Sequence, residues 1–229
     1  MNARPTLSSL LARWQALRTE LAARRVRLLA VSKYAPDVAV QALIDAGQRD
    51  FAESRPQALR DRARKWPQCR WHMIGPLQRN KAKYVARHAA MWHSVEHVAQ
   101  ARAVAAHLGE RVLPVLIQVN LSGLAHQHGV APHEADALCR QVAEIPGLRV
   151  CGLMGMAPRD GDAASAFRKL RALRDHCLDG SLRELSMGMS GDYPQAIEQG
   201  ATMVRLGSVL FGAWDVRTWK EDGDVTNEA

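Results

Sequence analysis

Three segments of the chain carry residue types that could hold a phosphorylated aldehyde. Lys33 closes the apolar run 26–32, so an amine stands where a buried strand is expected to end. An amine that burial keeps unprotonated can attack a carbonyl carbon and form a Schiff base. Segments 186–192 and 203–208 supply two more predicted strand ends that are rich in glycine and serine, which suit phosphate oxygens. On its own, Lys33 could equally be a lysine that buries its stem and keeps its charge in water.

Arg205 makes the prediction more specific, because it lies inside an apolar run two positions before Gly207. Enzymes that use pyridoxal 5'-phosphate (PLP) tune this cofactor through the group that contacts its pyridine nitrogen. An arginine there can only donate a hydrogen bond, so the ring nitrogen stays unprotonated. The alternative is an arginine paired with an acid. Together with Lys33 and the two phosphate loops, Arg205 favours a site for PLP.

The elements that must position these residues alternate along the chain. Leucines and Trp14 recur at helical spacing after Thr6 and predict an N-terminal amphipathic helix. Eight short apolar runs then alternate with helical stretches, and the predicted strands lie near 26–32, 49–53, 70–75, 91–95, 112–120, 148–154, 183–187 and 202–206. The sequence therefore predicts an α/β protein, a single-domain (β/α)8 TIM barrel over residues 1–218. We expect the polar tail 219–229 to be disordered.

An open doubly wound sheet is the alternative architecture. It would require a Gly-x-Gly-x-x-Gly turn after the first strand, whereas that strand ends in Ser32-Lys33-Tyr34. In a barrel, the carboxyl ends of the strands meet at one mouth. The residues predicted to share this mouth are Lys33, Glu53, His72, Asn120, Met154, Ser190, Gly191, Arg205, Gly207 and Ser208.

Composition narrows the class of protein. The 229 residues are 47% hydrophobic and 24% charged, which is typical of a globular protein, and no apolar run approaches the length of a membrane span. The four cysteines form no Cys-x-x-Cys pair, which indicates reduced thiols and a cytoplasmic protein. The net charge of +8 raises the question of nucleic acid, but the basic residues lie on predicted helix faces without interleaved aromatics. We predict no specific nucleic acid partner and no membrane.

Two groups of histidines are candidate metal ligands. His126, His128 and His133 cluster, and His93 and His97 lie four apart, but surface histidines without partner acids are mostly bystanders. We predict no metal. His72, near the mouth, could orient a cofactor contact or be a satisfied structural histidine.

Several long motifs in one order resemble the pyridoxal phosphate homeostasis protein family. They are Leu29-Ala30-Val31-Ser32-Lys33, the run 71–81, Gly152-Leu153-Met154, the run 185–190 and the run 196–212. The match extends over about residues 6–215.

The resemblance implies a barrel similar to the N-terminal domain of alanine racemase, with PLP held as a Schiff base at Lys33 and its pyridine nitrogen at Arg205. By the same likeness Ser190, Gly191, Gly207 and Ser208 bind the phosphate, while Asn120, Met154 and His72 line the pocket. The family acts in intracellular vitamin B6 homeostasis, without an established reaction, so no catalytic residue is assigned. PLP-dependent apoenzymes are candidate acceptors, and one self-contained barrel suggests a monomer.

Two enzymatic alternatives remain. A PLP-dependent amino-acid racemase of low activity would need a second base on the opposite face, which usually comes from another domain, and little chain follows Gly212. A Schiff-base aldolase would use Lys33 without retaining a cofactor. The chain also departs from the family pattern at Ala52 and Ser54 in the second loop, and at Leu124 and Gln127 in the fifth, where the family has a charged pair.

Overall fold

A computed structural model describes residues 6–212, and the predicted disordered tail lies outside this range. Eight strands alternate with helices along the described chain. The strands are β1 (Arg27–Val31), β2 (Asp50–Glu53), β3 (Arg70–Met73), β4 (Met91–Val95), β5 (Leu113–Asn120), β6 (Leu148–Met156), β7 (Glu184–Ser186) and β8 (Met203–Leu206).

The helices cover the outside of the sheet. Those of the described range are α1 (Leu7–Ala23), α2 (Asp37–Asp45), α3 (Pro56–Lys65), α4 (Ala82–His88), α5 (Val98–Ala105), α6 (Ala135–Ala143), α7 (Ala163–His176), α8 (Tyr193–Glu198) and α9 (Ser208–Phe211). Short 3-10 turns occupy Arg79–Lys81, Pro132–Glu134 and Cys177–Gly180. The bounds agree with the apolar runs and helical periods of the sequence.

The strands close into a barrel because each pairs in parallel with the next and β8 returns to β1. In the closing pair, Leu29 lies opposite Arg205 and Ala30 opposite Leu206. This register brings the loop after β1, which contains Lys33, next to the loop after β8, which contains Gly207. The prediction of a single (β/α)8 barrel is confirmed.

The N-terminal helix packs on the barrel as its apolar stripe predicts. Thr6 caps α1 by accepting a hydrogen bond from the Ser9 N–H at 3.1 Å. Leu10, Trp14 and Leu21 are buried on its inner face. Arg13 Nε donates to the Leu210 carbonyl at 2.9 Å, which ties α1 to α9 beside the barrel mouth.

The core has two parts. A large cluster fills the space between the sheet and the helices, and a small one inside the barrel consists of Leu29, Ala52, Met91, Leu116, Met154 and Met203. Polar side chains are buried as well, and His72, His93 and Arg205 are joined by hydrogen bonds that connect β3, β4, β7 and β8. Within residues 6–212, no helix is both long and apolar enough to cross a bilayer.

Candidate cofactor site at the barrel mouth

A cavity of about 680 Å³ opens at the carboxyl ends of the strands. Seven of the ten residues predicted to share the mouth line it, namely Lys33, Met154, Ser190, Gly191, Arg205, Gly207 and Ser208. Side chains that the sequence analysis did not single out complete the wall, including Tyr34, Ile74, Met156, Met189 and Phe211. The volume suits a ligand with a ring and a phosphate group.

Lys33 lies at the tip of a turn that Ser32 holds. The Ser32 hydroxyl donates to Glu53 Oε1 at 2.7 Å, and the Ser32 carbonyl accepts from the Ala35 N–H at 2.9 Å. Burial raises the pKa of the Glu53 carboxyl, although the hydrogen bond from Ser32 opposes this shift. The Lys33 side chain itself is exposed, and Nζ lies 5.2 Å from the centre of the Tyr34 ring.

This exposure corrects the expectation that Lys33 is buried at a strand end. The strand stops at Val31, and the turn that follows projects Lys33 out of the barrel interior into the mouth. The exposed side chain nevertheless lines the cavity at the mouth.

Arg205 lies at the base of the cavity with only 4% of its surface exposed. Its Nη1 donates to the carbonyl and the hydroxyl of Ser186 at 2.7 and 2.8 Å, and Nη2 donates to the Gly155 carbonyl at 3.0 Å. Burial lowers the pKa of the guanidinium to about 10, although the charge of Asp192 opposes this shift. Since a guanidinium has five N–H donors, two remain without an acceptor among residues 6–212.

The loops after β7 and β8 bring several polar groups to one side of the cavity. Ser190 Oγ accepts a hydrogen bond from the Val209 N–H at 3.1 Å and so joins the two loops. The backbone N–H groups of Ser190, Gly191 and Ser208 donate to no acceptor in the described chain. Backbone N–H groups without a protein acceptor at the wall of a cavity are suited to bind an anion such as phosphate.

The space beside the two loop glycines fits a ligand. A side chain at Gly191 would meet nothing within 4 Å, and one at Gly207 would meet only Val31, no nearer than 3.5 Å. The fold therefore does not require glycine at either position. Gly188 differs, because its φ is +90° and an added Cβ would lie only 2.6 Å from the Ala196 Cβ. The fold itself therefore requires glycine at this position.

The charges around the cavity also favour an anion. Lys33 and Arg205 bring two cations to its wall, and no carboxylate lines it in the part of the chain that is described. An amine for an aldehyde, a donor for a ring nitrogen and free N–H groups for a phosphate are the donor set that PLP requires. The residues present therefore fit this cofactor.

Asn120 does not lie at this cavity, which corrects the prediction. Its Oδ1 accepts hydrogen bonds from the N–H groups of Ser122 and Gly123 at 3.0 and 3.1 Å, and its Nδ2 donates to the Leu124 carbonyl at 2.8 Å. Asparagine often caps its own loop in this way. Asn120 instead borders a separate cavity of about 630 Å³ beside α7, together with Lys169 and His176.

His72 is also placed differently from its prediction. It lies inside the barrel with 2% of its surface exposed, where Nε2 pairs with Asp50 Oδ1 at 3.1 Å and Nδ1 with His93 Nε2 at 2.9 Å. The residue belongs to β3 and precedes the strand end, so its side chain lies below the mouth. Of the two interpretations that the sequence left open, the structure favours the satisfied structural histidine.

Sequence reasoning missed Ser186, which holds Arg205 with both of its oxygens. The only signal was its position, because Ser186 ends β7 within the run that also supplies Ser190. Asp192 was missed as well. Its Oδ1 accepts from the Met189 N–H at 2.6 Å and fixes the loop that carries Ser190 and Gly191.

The chain is similar to known proteins in family model, sequence and structure. The model of the alanine racemase N-terminal domain matches residues 6–215. A pyridoxal phosphate homeostasis protein of Deinococcus radiodurans is 43% identical over 192 residues, which cover 83% of this chain and 90% of the relative. The protein of the same name from Escherichia coli K12 is 36% identical over 211 residues, covering 83% and 86%.

Among solved structures, this chain is similar to PipY of Synechococcus elongatus PCC7942. The structure of PipY with PLP bound has a TM-score of 0.78 and 33% identity, and the match covers 89% of this chain and all of PipY. The structure of PipY without PLP has a TM-score of 0.80 and 34% identity over the same shares of the two chains.

Proposed function

The chain belongs to the alanine racemase N-terminal domain family and, within it, to the pyridoxal phosphate homeostasis proteins, and from this premise we propose that it binds PLP at the barrel mouth and serves vitamin B6 homeostasis. One observation carries the proposal. A single cavity holds the Lys33 amine, the two N–H groups of Arg205 that lack an acceptor, and the free N–H groups of Ser190, Gly191 and Ser208.

In this proposal each group of the cavity has one role. When bound, the cofactor supplies an aldehyde that forms a reversible Schiff base with the Lys33 amine. Arg205 donates to the ring nitrogen, and because a guanidinium is always a donor it leaves that nitrogen unprotonated. The two loops joined by Ser190 bind the phosphate, and Met154 supports the ring from the floor, where it is 2% exposed.

The exposure of Lys33 supports a carrier that takes up and releases PLP. Water and other amines could reach a Schiff base at an exposed amine, so hydrolysis would return the free aldehyde and exchange with another amine would pass the carbonyl group on as a new imine, with Lys33 freed in both cases. A buried amine would hold the cofactor more permanently. We propose PLP-dependent apoenzymes as acceptors and a monomer as the working form. Four free cysteines in the described chain support the cytoplasm as its location.

A racemase of low activity, the alternative function, is not favoured. Two-base racemisation needs proton donors on opposite faces of the cofactor. Apart from Lys33 and Arg205, Tyr34 is the only titratable side chain that lines the cavity within residues 6–212. Tyr34 follows Lys33 in the same turn, and its ring centre lies 5.2 Å from the Lys33 amine. It is therefore poorly placed to reach the face of the cofactor opposite to Lys33.

Absorption spectroscopy with added PLP tests the proposal. We expect the wild-type protein to develop a band in the imine region, the Lys33→Ala variant to lack it, and the Lys83→Ala variant to keep it. Lys83 is the matched control because it is an exposed lysine on α4, outside the cavity. Incubation with a PLP-dependent apoenzyme should then restore that enzyme's activity as the band declines. A wild-type protein without the band, or a band that survives Lys33→Ala, would contradict the proposed site.

A further inference from the structure

A continuous chain of hydrogen bonds crosses the barrel interior below the cavity. Arg205 Nη1 donates to Ser186 Oγ at 2.8 Å, and Ser186 Oγ pairs with His93 Nδ1 at 2.9 Å. His93 Nε2 then pairs with His72 Nδ1 at 2.9 Å, and His72 Nε2 with Asp50 Oδ1 at 3.1 Å. The five side chains come from five strands, and each residue exposes 8% of its surface or less. We call these residues the interior relay.

The charge of Asp50 fixes the direction of hydrogen-bond donation at that end of the interior relay. Burial alone would raise the pKa of Asp50, but hydrogen bonds from His72 and Arg70 offset this effect and hold the pKa well below its usual value. The carboxylate is therefore ionised and can only accept. His72 must carry a proton on Nε2 and donate it to Asp50.

The Ser186 hydroxyl fixes the direction at the other end. If His93 donated to Ser186 from Nδ1, the hydroxyl proton would have no acceptor in the described chain, because Arg205 already donates to the same oxygen. An unpaired buried hydroxyl proton is costly. Ser186 therefore donates to Nδ1 of His93, and His93 carries its own proton on Nε2, directed at His72.

The result is a row of donors that all point away from the cavity. Ser186 donates to His93, His93 to His72 and His72 to the charged Asp50. Each donor in such a row polarises the next, so the Ser186 oxygen becomes a better acceptor for the guanidinium. Burial lowers the pKa of His93 well below its ordinary value, in agreement with a neutral ring in this row.

The interior relay also stabilises the Arg205 guanidinium where an ion pair would be expected. A buried charge usually has a counter-ion, but no carboxylate in residues 6–212 forms a salt bridge with Arg205. The guanidinium rests instead on two carbonyls and on Ser186 Oγ, from which the interior relay leads to Asp50. The carbonyl and the hydroxyl of Ser186 both accept from Nη1, and these two hydrogen bonds fix the plane of the Arg205 guanidinium.

We propose that Ser186, His93 and His72 are positioning residues that fix Arg205 in the orientation in which its remaining N–H groups meet the pyridine nitrogen of PLP. This inference rests on the proposed function, because it assumes that PLP occupies the cavity. It adds a specific role for three side chains that do not line the cavity themselves.

The first test needs no cofactor. In ligand-free protein with ¹⁵N-labelled histidine, nitrogen chemical shifts show which ring nitrogens carry protons, and the His93→Phe and His72→Phe variants assign the signals. At pH 7 we expect both rings to be neutral with the proton on Nε2. A proton on Nδ1 of His93, or a doubly protonated His72, would reverse the row of donors and overturn the proposal.

The second test uses the PLP-loaded protein. Ser186→Ala and His93→Phe should each shift the absorption maximum and speed cofactor release about tenfold, the effect of one lost hydrogen bond to a charged group. The double variant should release PLP no faster than the faster single variant, because both residues act along one path. His88→Phe, a histidine on α4 outside the interior relay, should change neither property.

The outcomes separate the two proposals. Loaded variants with wild-type spectra and release rates would reject the positioning role while PLP binding stands. Additive effects in the double variant would reject it too, because they indicate independent structural damage. A wild-type protein that binds no PLP would reject the proposed function, and the positioning role with it, whatever the tautomers. If His93→Phe fails to fold, His93→Gln keeps a polar group of similar reach and replaces it.

Discussion

Ser190 Oγ accepts a hydrogen bond from the Val209 N–H at 3.1 Å, and this contact joins the loop after β7 to the loop after β8. The two residues are separated by a helix and a strand in the sequence. The contact lies next to Gly191 and Ser208, which both line the cavity and whose N–H groups donate to no acceptor in the described chain. We infer that the phosphate site depends on it.

Replacement of Ser190 by alanine tests this dependence. Because one hydrogen bond contributes about 1 kcal/mol, Ser190→Ala should release PLP roughly five- to tenfold faster and lower the unfolding free energy by no more than about 1 kcal/mol. Release can be followed by the decay of the imine band in the presence of an excess acceptor amine. Ser181→Ala, at an exposed serine outside the cavity, is the control. Equal release rates for the two variants would count against a role of the Ser190 contact.

Replacement of Gly191 tests whether the space beside it belongs to the ligand. A side chain there meets no protein atom within 4 Å, so Gly191→Val should fold with a near-normal melting temperature but weaken PLP binding at least tenfold. Gly188→Ala should lower the melting temperature and leave PLP binding unchanged. At this position φ is +90°, and an added Cβ would lie 2.6 Å from the Ala196 Cβ. Calorimetry of unfolding and a PLP titration of both variants give the comparison. Normal binding by Gly191→Val would remove this glycine from the phosphate site.

Asn120 should matter for its loop and not for the cofactor. Asn120→Ala removes the acceptor of two backbone N–H groups and the donor to the Leu124 carbonyl. We expect a loss of about 1–2 kcal/mol in unfolding free energy or local protection, measured by hydrogen exchange over residues 121–128, with PLP affinity unchanged. A loss of PLP affinity with normal exchange in the loop would restore the assignment that the sequence suggested.

His93 should make stability depend on pH. Burial lowers the pKa of the folded-state imidazole well below its ordinary value, so below about pH 6.5 the unfolded chain binds a proton that the folded protein does not. The unfolding free energy should therefore fall between pH 6.5 and 5, by up to about 1.4 kcal/mol per pH unit from this residue.

The His93→Gln variant isolates that contribution. Glutamine cannot titrate, so the unfolding free energy of the variant should depend less steeply on pH between 5 and 6. The difference in slope should correspond to about one proton, or about 1.4 kcal/mol per pH unit, and denaturant unfolding can measure it. The raised pKa of Glu53 acts with the opposite sign, adding stability that is lost as pH rises, but it is present in both proteins and cancels in the difference. Parallel curves would show that His93 titrates normally in the folded state.

Much of the fold could be predicted from the sequence because its signals are local. The apolar runs at β1 to β8 and the helical periods between them fix the element order, and eight parallel units close into a barrel. The same reasoning predicted Lys33 and Arg205 at one mouth, since Lys33 follows β1 and Arg205 is the second-last residue of β8.

The rest depends on details that periodicity does not contain. Alternation along β3 and β4 places His72 and His93 inside the barrel but does not give their depth, so their contact 21 residues apart was missed. Asn120 ends a strand like the true cavity residues, yet its amide is used by its own loop. The turn after Val31 exposes Lys33, although an amine beside an apolar run looks buried in the sequence.

Borohydride reduction of the PLP-loaded protein, followed by peptide mass mapping, identifies the lysine that forms the imine. We expect one equivalent of reduced cofactor attached to the peptide that contains Lys33, and no labelled peptide in Lys33→Ala. Label on another lysine, or an unmodified protein after excess PLP and borohydride, would contradict a Schiff base at Lys33.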